Sequence, residues 1–114
     1  MAWDDISQWQ PADLYASFRM GDKGVIPVDV RDLTYRESDQ QIKGALRIDP
    51  MDFQSQLGTL PADVELVFYC DRAGEATSMK IALVAFDGGR TRVGVLVGGF
   101  DAWDAAGYPM EPKG

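Results

Sequence analysis

Short runs of apolar residues, separated by stretches with a helical pattern, constrain the fold of this chain more than any other feature. The clearest runs span residues 25–30, 64–69 and 92–97, and a shorter one spans 44–50. Such short runs, rich in β-branched residues and without polar alternation, are typical of parallel strands covered on both faces. Because they alternate with helical patterns, we predict an α/β fold in which helices cover both faces of a parallel sheet.

The segments between these runs carry the end signals of helices. The first predicted helix, over residues 11–20, begins at Pro11, a residue that suits the first helical position. The strongest predicted helix begins at Thr77 or Ser78 and ends at the glycine pair 88–89. The remaining predictions are short helices at 51–57 and 100–106, a mostly irregular segment with room for one helical turn at 32–44, and apolar anchors at Trp3, Ile6 and Trp9.

Length and charge exclude several classes of protein. With 114 residues, the chain has the length of one domain with a real core, and we expect a single domain over residues 1–114. A net charge of −7 without a basic cluster argues against binding of nucleic acid. No apolar run reaches the roughly 20 residues that a membrane helix needs, and no signal peptide pattern is present, so we expect a cytoplasmic protein.

Two residue types narrow the chemistry further. The chain has no histidine, which excludes a histidine general base and histidine metal ligands. Its single cysteine excludes an internal disulfide, a Cys-x-x-Cys redox pair and a thiolate zinc site. We therefore expect no metal and no other cofactor. What remains is one thiol that acts by itself, or no chemistry at all.

That thiol stands where a negative charge on sulfur can be stabilised. Cys70 ends an apolar run and precedes a short loop and the strongest helix, whose N-terminus offers unpaired N–H groups and a positive dipole end. Gly74 allows the loop to curl into an anion-binding nest of backbone amides. A lone cysteine at a strand end is also compatible with a purely structural role. The predicted binding residues are Asp71, Arg72, Ala73, Gly74, Glu75, Ala76, Thr77 and Ser78.

A second pair of polar residues ends a neighbouring strand. Asp29 and Arg31 flank the carboxyl end of the run 25–30, and in parallel sheets functional sites form at such ends. We predict that they form a structural ion pair or hydrogen-bond to loops, in support of the site rather than in its chemistry.

Four motifs occur along the chain in a fixed order. They are Asp29-Val30-Arg31, Gln-Ile-Lys-Gly-Ala-Leu-Arg-Ile at 41–48, Tyr69-Cys70, and Gly-Gly-Phe-Asp-Ala-Trp at 98–103. In this order they resemble the Asp-Val-Arg, His-Ile-Pro-Gly-Ala-x-x-Ile, active-loop cysteine and Gly-Gly-Trp/Phe-x-Ala-Trp signatures of the rhodanese homology domain. The resemblance covers nearly the whole chain and implies a rhodanese-like fold with a five-stranded parallel sheet.

The resemblance also implies an activity. In that family, the cysteine takes a sulfane sulfur from a donor such as thiosulfate, becomes a persulfide, and passes the sulfur to cyanide or a thiol. The chain is thus expected to be a monomeric sulfurtransferase with Cys70 as its nucleophile. Its expected partners are a small sulfur donor and a thiol acceptor.

Three departures from the family pattern are visible. Gln41 replaces a histidine that is linked to the fold rather than to the chemistry. Seven residues separate Cys70 from Ser78, whereas the common loop has five. The run Glu-Ala-Thr-Ser at 75–78 is similar to a bacterial subgroup, sometimes fused to integral membrane proteins, so the chain could belong to a larger protein. That subgroup often has a second cysteine where this chain has Arg72.

Two other functions stay open at this point. One is a rhodanese-like binding or sensing module in which the thiol is merely retained. The other is a cysteine-dependent phosphatase or arsenate reductase. Phosphatases with a Cys-x5-Arg motif clamp the phosphoryl group with an arginine, but the corresponding residue here is Ala76, and no arginine follows before Arg90. The seven-residue loop resembles that of the fold's cell-cycle phosphatase relatives, so the loop length is compatible with a phosphatase.

Overall fold

A computed structural model describes residues 6–71 and 76–113, with the exception of the side chains of residues 33, 34 and 76. Trp3, Arg72, Ala73, Gly74 and Glu75 lie outside the described residues. None of the helices in the described ranges is long and apolar enough to cross a membrane.

The strands are β1 (Ser7–Trp9), β2 (Val25–Asp29), β3 (Gln40–Ile42), β4 (Leu46–Arg47), β5 (Glu65–Tyr69), β6 (Val93–Leu96) and β7 (Met110–Pro112). The helices are α1 (Pro11–Arg19), α2 (Leu33–Glu37), α3 (Phe53–Gln56), α4 (Ala76–Asp87) and α5 (Gly99–Ala105), with a 3-10 turn at Leu57–Thr59.

Five of the strands in the described ranges form one parallel sheet in the order β1–β6–β5–β2–β4. The predicted α/β fold with a five-stranded parallel sheet is therefore confirmed. β5 lies in the middle, between β6 and β2, so the chain leaves the centre of the sheet at Cys70. In the register of the pair β2–β5, Asp29 lies beside Tyr69, so the two strands end together.

The sheet separates two apolar clusters, and alternation along the strands decides which residues join each. Phe68 and Cys70 pack with α4 on one side, whereas Val67 and Tyr69 pack with α1 and α5 on the other. We call these the α4 side and the α1/α5 side. Trp103, in the last helix, is fully buried on the α1/α5 side.

Two of the differences from the predicted elements concern short strands. Residues 7–9, which were expected only to anchor the N-terminal segment, form β1 and pair with β6 at the edge of the sheet. The segment 32–44 contains α2 and β3, and β3 pairs with β7 in a separate antiparallel sheet. A strand of three residues is too short to show a clear sequence pattern. Its stability also depends mostly on the strand with which it pairs, and that strand can lie far along the chain.

The start of α4 also differs from the prediction. The helix already includes Ala76, so Thr77 and Ser78 lie within its first turn and are not its cap. Ser78 is fully buried, whereas Thr77 is exposed. The hydroxyl of Ser78 is thereby turned into the protein, toward the carboxyl end of β5.

Pro27 shows how a proline is accommodated next to the central strand. Its neighbour β4 is only two residues long and pairs with Val28 and Asp29, beyond Pro27. Since Val30 N–H donates to Tyr69 O at 2.9 Å, the amides of even-numbered residues in β2 face β5. The missing N–H of Pro27 therefore faces the side where β4 has not yet begun, and no ladder bond is lost.

Candidate active site

The backbone of Cys70 is fixed between two strands and a helix. The first amides of α5 donate to the loop that leaves β5: Phe100 N–H to Cys70 O at 2.9 Å, and Asp101 N–H to Asp71 O at 3.0 Å. The glycine pair 98–99 turns the chain into α5 with positive φ values of 80° and 60°, a conformation that favours glycine. The positive φ values of this turn thus explain why glycines precede Phe100, and the two hydrogen bonds give the backbone at Cys70 a defined position.

The thiol itself points to the α4 side and is nearly enclosed. Cys70 is 9% exposed, and its Sγ donates to Ser78 Oγ at 3.6 Å. Cys70 belongs to a buried apolar cluster that also contains Phe68 and Met79. A thiolate at this position would lie against the first turn of a twelve-residue helix, where N–H groups and the helix dipole favour negative charge.

Asp29 and Arg31 point to the opposite side of the sheet. Val28 and Val30 belong to the cluster of Cys70, so the alternating residues Asp29 and Arg31 project to the α1/α5 side. Both are fully buried and form an ion pair, with 2.7 Å between Arg31 Nη2 and Asp29 Oδ2. The structure therefore brings these two residues together but does not bring their side chains to the thiol.

Tyr69 connects this ion pair to the strand that carries the cysteine. Its hydroxyl donates to Asp29 Oδ2 at 2.9 Å and accepts from Ile42 N–H at 3.2 Å. Burial, and then the charge of Asp29, raise the pKa of Tyr69 above its ordinary value. The hydroxyl therefore remains a donor to the carboxylate throughout the neutral range.

Arg31 lies in an aromatic and polar enclosure. The centre of its guanidinium is 3.9 Å from the centre of the Phe100 ring, and its Nη2 donates to Gln40 O at 2.9 Å. Arg47, from β4, donates to the Arg31 carbonyl at 2.5 Å and stacks on Tyr35 at 3.7 Å. These contacts join β2, α2, β3, β4 and α5 at the end of the sheet where Cys70 lies.

Gln41, which replaces the family's histidine, has a role in the fold. Its Nε2 donates to Ala45 O at 3.1 Å and to Glu111 Oε2 at 2.9 Å. It thereby connects the β3–β4 turn to β7, far along the chain. This environment agrees with the view that the position serves the fold rather than the chemistry.

The other predicted site residues divide into three groups. Asp71 is half-buried at the start of the loop and holds the N-terminus of α5 through its carbonyl. Ser78 contacts the thiol, and Thr77 faces outward from the same turn. For Ala76 only the backbone is described.

The sequence analysis did not identify Tyr69 and Arg47 as residues that support the site. The pairing of Tyr69 with Asp29 could have been found by aligning the ends of two adjacent parallel strands.

Comparisons with known proteins agree with this geometry. The sequence matches the family model of the rhodanese-like domain over residues 11–106. No curated protein matches the chain. Because the family match covers most of its length, the chain belongs to the rhodanese-like domain family.

Several solved structures share the fold. A protein of unknown function from Rhodopseudomonas palustris, described as a possible tyrosine phosphatase, is 32% identical, with a TM-score of 0.73 over 96% of this chain and 88% of that chain. A full-length protein from Lactobacillus plantarum is 23% identical, with a TM-score of 0.79 over 93% and 88%. A Saccharomyces cerevisiae protein, described as a homolog of single-domain rhodanese and of the Cdc25 phosphatase catalytic domain, is 19% identical, with a TM-score of 0.73 over 90% and 82%.

Proposed function

We propose that this protein is a sulfurtransferase that carries a sulfane sulfur on Cys70 as a persulfide. The observation that carries the proposal is the setting of the thiol. It is the chain's only nucleophilic sulfur, it stands at the end of the central strand, and its Sγ lies 3.6 Å from Ser78 in the first turn of α4. The Ser78 hydroxyl and the N-terminus of α4 can stabilise a negative charge on this sulfur.

Sulfur transfer is the reaction that such a site can perform unaided. The Cys70 thiolate attacks the outer sulfur of thiosulfate, and a new S–S bond forms as the old one breaks. Sulfite leaves with the bonding electron pair as an anion, so no general acid is needed. A thiolate or cyanide then attacks the outer sulfur of the persulfide, and Cys70 leaves as the thiolate with which the cycle began.

The first turn of α4 gives this cycle its electrostatic support. In both steps negative charge resides on Cys70 Sγ or on the sulfur bound to it, and the helix N-terminus and the Ser78 hydroxyl stabilise such charge. Residues 71–77 complete the proposed cradle, in which Arg72 attracts the anionic donor and Thr77 can offer it a hydroxyl. A reducing compartment such as the cytoplasm would keep the lone thiol in its reactive form.

A phosphatase is the second candidate, because the 32%-identical relative is described as a possible tyrosine phosphatase. That chemistry requires a cation to clamp the phosphoryl group. Two arginines are already engaged: Arg31, just after β2, is buried against Asp29, and Arg90, the first arginine after the loop, donates to three carbonyls of the 57–61 segment at 2.6–3.1 Å. Arg72 is the residue left for that role, and it is two positions from Cys70 rather than six.

Parallel assays separate the candidates. Wild type and Cys70→Ser should be compared for thiocyanate formation from thiosulfate and cyanide, with a thiol acceptor in a second series, and for hydrolysis of p-nitrophenyl phosphate. We expect sulfur transfer that disappears in Cys70→Ser, and no phosphatase activity that depends on Cys70. Hydrolysis lost in Cys70→Ser, without sulfur transfer, would establish the phosphatase, whereas inactivity in every assay would favour a binding or sensing module.

A further inference from the structure

A second concave site lies at the opposite end of the sheet from the thiol. This open groove has a volume of about 600 Å³, and its apolar lining comes from Val25 and Pro27 of β2, Tyr15 and Phe18 of α1, and Pro109. Val25 pairs with Glu65 at the start of β5, and Cys70 comes five residues later. At about 3.3 Å per residue, the Val25 end of the groove is roughly 16 Å from Cys70 along the strand and the Pro27 end roughly 10 Å. Val25 packs on the α1/α5 side and the thiol on the α4 side, so the groove is separate from that site.

The rim of this groove is basic, although the protein as a whole is acidic. The chain has 18 acidic and 11 basic residues, yet the groove is lined by Arg19, Lys23 and Lys43 against the single carboxylate of Asp22. All three basic side chains are exposed. In the described part of the chain, none of the three takes part in a salt bridge, since those pairs involve other arginines.

A hydrogen bond holds each of the turns that carry the two lysines. Lys23 lies between Asp22 and Gly24, where the Asp22 carboxylate accepts the Gly24 N–H at 2.8 Å. Lys43 N–H donates to Pro109 O at 3.3 Å, which ties its turn to the chain before β7. Such bonds reduce the freedom of the two turns, which lowers the entropic cost of binding a ligand between them.

We propose that this groove binds a small amphipathic anion, a carboxylate or sulfonate with an aromatic or branched apolar body. The apolar body would lie on Val25, Pro27 and Phe18, and the anionic group would face Lys23 and Lys43 at the rim. The volume lies within the range of small-molecule pockets, which are mostly apolar with a few charged groups that fix orientation. The binding does not depend on the proposed chemistry of Cys70.

The test uses anilinonaphthalene sulfonate as the anionic probe and phenylnaphthylamine as its neutral counterpart, both followed by fluorescence titration. We expect saturable binding of the sulfonate with a Kd of about 10–100 μM. Lys23→Glu and Lys43→Glu should each weaken it about 3- to 10-fold, with less effect on the neutral compound. Lys80→Glu, the same change at an exposed lysine on α4, is the control and should alter Kd by less than about twofold.

Amide chemical shifts of the full chain locate the probe. The proposal expects the largest shifts at residues 18–27 and 43–44, with sulfur transfer unchanged in Lys43→Glu. Shifts centred on 66–71 or 76–80, equal affinities in Lys43→Glu and Lys80→Glu, or no saturable binding below about 1 mM would overturn it. Activity assays and probe titration are read separately, so a failed groove and a failed sulfurtransferase give different results.

Discussion

The two sides of the sheet differ sharply at the end where Cys70 lies. On the α4 side, Cys70 belongs to a buried apolar cluster and its thiol contacts Ser78. On the α1/α5 side, the neighbouring residue Tyr69 forms a buried, charged and hydrogen-bonded network with Asp29 and Arg31. Both sides are built from the same two strands, through residues that alternate.

The groups that position the strand ends are therefore different from the groups that can affect the reactivity of the Cys70 sulfur. Charged groups hold the strand ends together, but they do so on the side away from the sulfur. On the α4 side, the helix N-terminus and the Ser78 hydroxyl can stabilise a negative charge on the sulfur. Breaking the network should therefore affect stability first, and altering the α4 side should affect the reaction first.

The largest effect is expected from Asp29→Ala. The substitution leaves the guanidinium of Arg31 buried without its carboxylate, which typically costs about 3–5 kcal/mol. Urea unfolding should show a loss of this size, whereas Asp32→Ala, which breaks an exposed pair with Arg36, should cost less than about 1 kcal/mol. Equal losses in the two variants would show that the buried network does not hold the strand ends.

The next effect concerns the reaction rather than the fold. Ser78→Ala removes the hydroxyl beside Cys70 Sγ, and a hydrogen bond to a charged group contributes about 1.5–3 kcal/mol. We expect sulfur transfer to fall about 10- to 100-fold while the unfolding free energy changes little. Ser17→Ala, at a buried serine of α1 that bonds to Leu14 O, is the matched control. A control variant that loses as much activity as Ser78→Ala would contradict the account.

A smaller effect is expected from Tyr69→Phe. The ring stays in place, but the N–H of Ile42 loses its acceptor and Asp29 loses a donor, at a cost of about 1–2 kcal/mol. Sulfur transfer by the folded variant should remain near that of wild type, because the hydroxyl faces away from the thiol. A rate loss larger than that of Ser78→Ala would mean that the two sides of the sheet are not separate in function.

The loss of stability in Tyr69→Phe should depend on pH, and the raised pKa of Tyr69 determines the direction of that dependence. The pKa of Tyr69 is raised in the folded state, so its contribution to stability is complete below the ordinary tyrosine pKa of about 10 and is lost as the pH rises above it. The stability difference between wild type and Tyr69→Phe should be constant up to pH 10 and shrink beyond it. Unfolding measured from pH 8 to about 11 checks this, and a difference that grows with pH would contradict it.

Much of this arrangement could be predicted from the sequence. The apolar runs identify the longer strands, and the family motifs indicate both Cys70 and the pair Asp29 and Arg31. The side of the sheet that each residue faces could not be read from one strand alone, because it depends on register and on where the neighbouring strand ends. The contact between Ser78 and the thiol was missed for a similar reason: it requires α4 to begin before Thr77.

Other features lay beyond the sequence because they depend on distant residues. The strands β1, β3 and β7 are short and are held by partners far along the chain. The bond of Gln41 to Glu111 joins residues 70 positions apart, and no local pattern predicts it. The groove at the start of β2 likewise combines α1, a β3–β4 turn and Pro109.

The central claim, that Cys70 alone carries the transferred sulfur, is tested most directly by mass spectrometry of the intact protein and its peptides after treatment with thiosulfate. The account predicts one added sulfur, about 32 Da, on the peptide that contains Cys70, and its removal by cyanide or a thiol. The adduct and the turnover should both be absent in Cys70→Ser. Sulfur transfer that persists in Cys70→Ser, or turnover by wild type without any adduct on Cys70, would contradict the account.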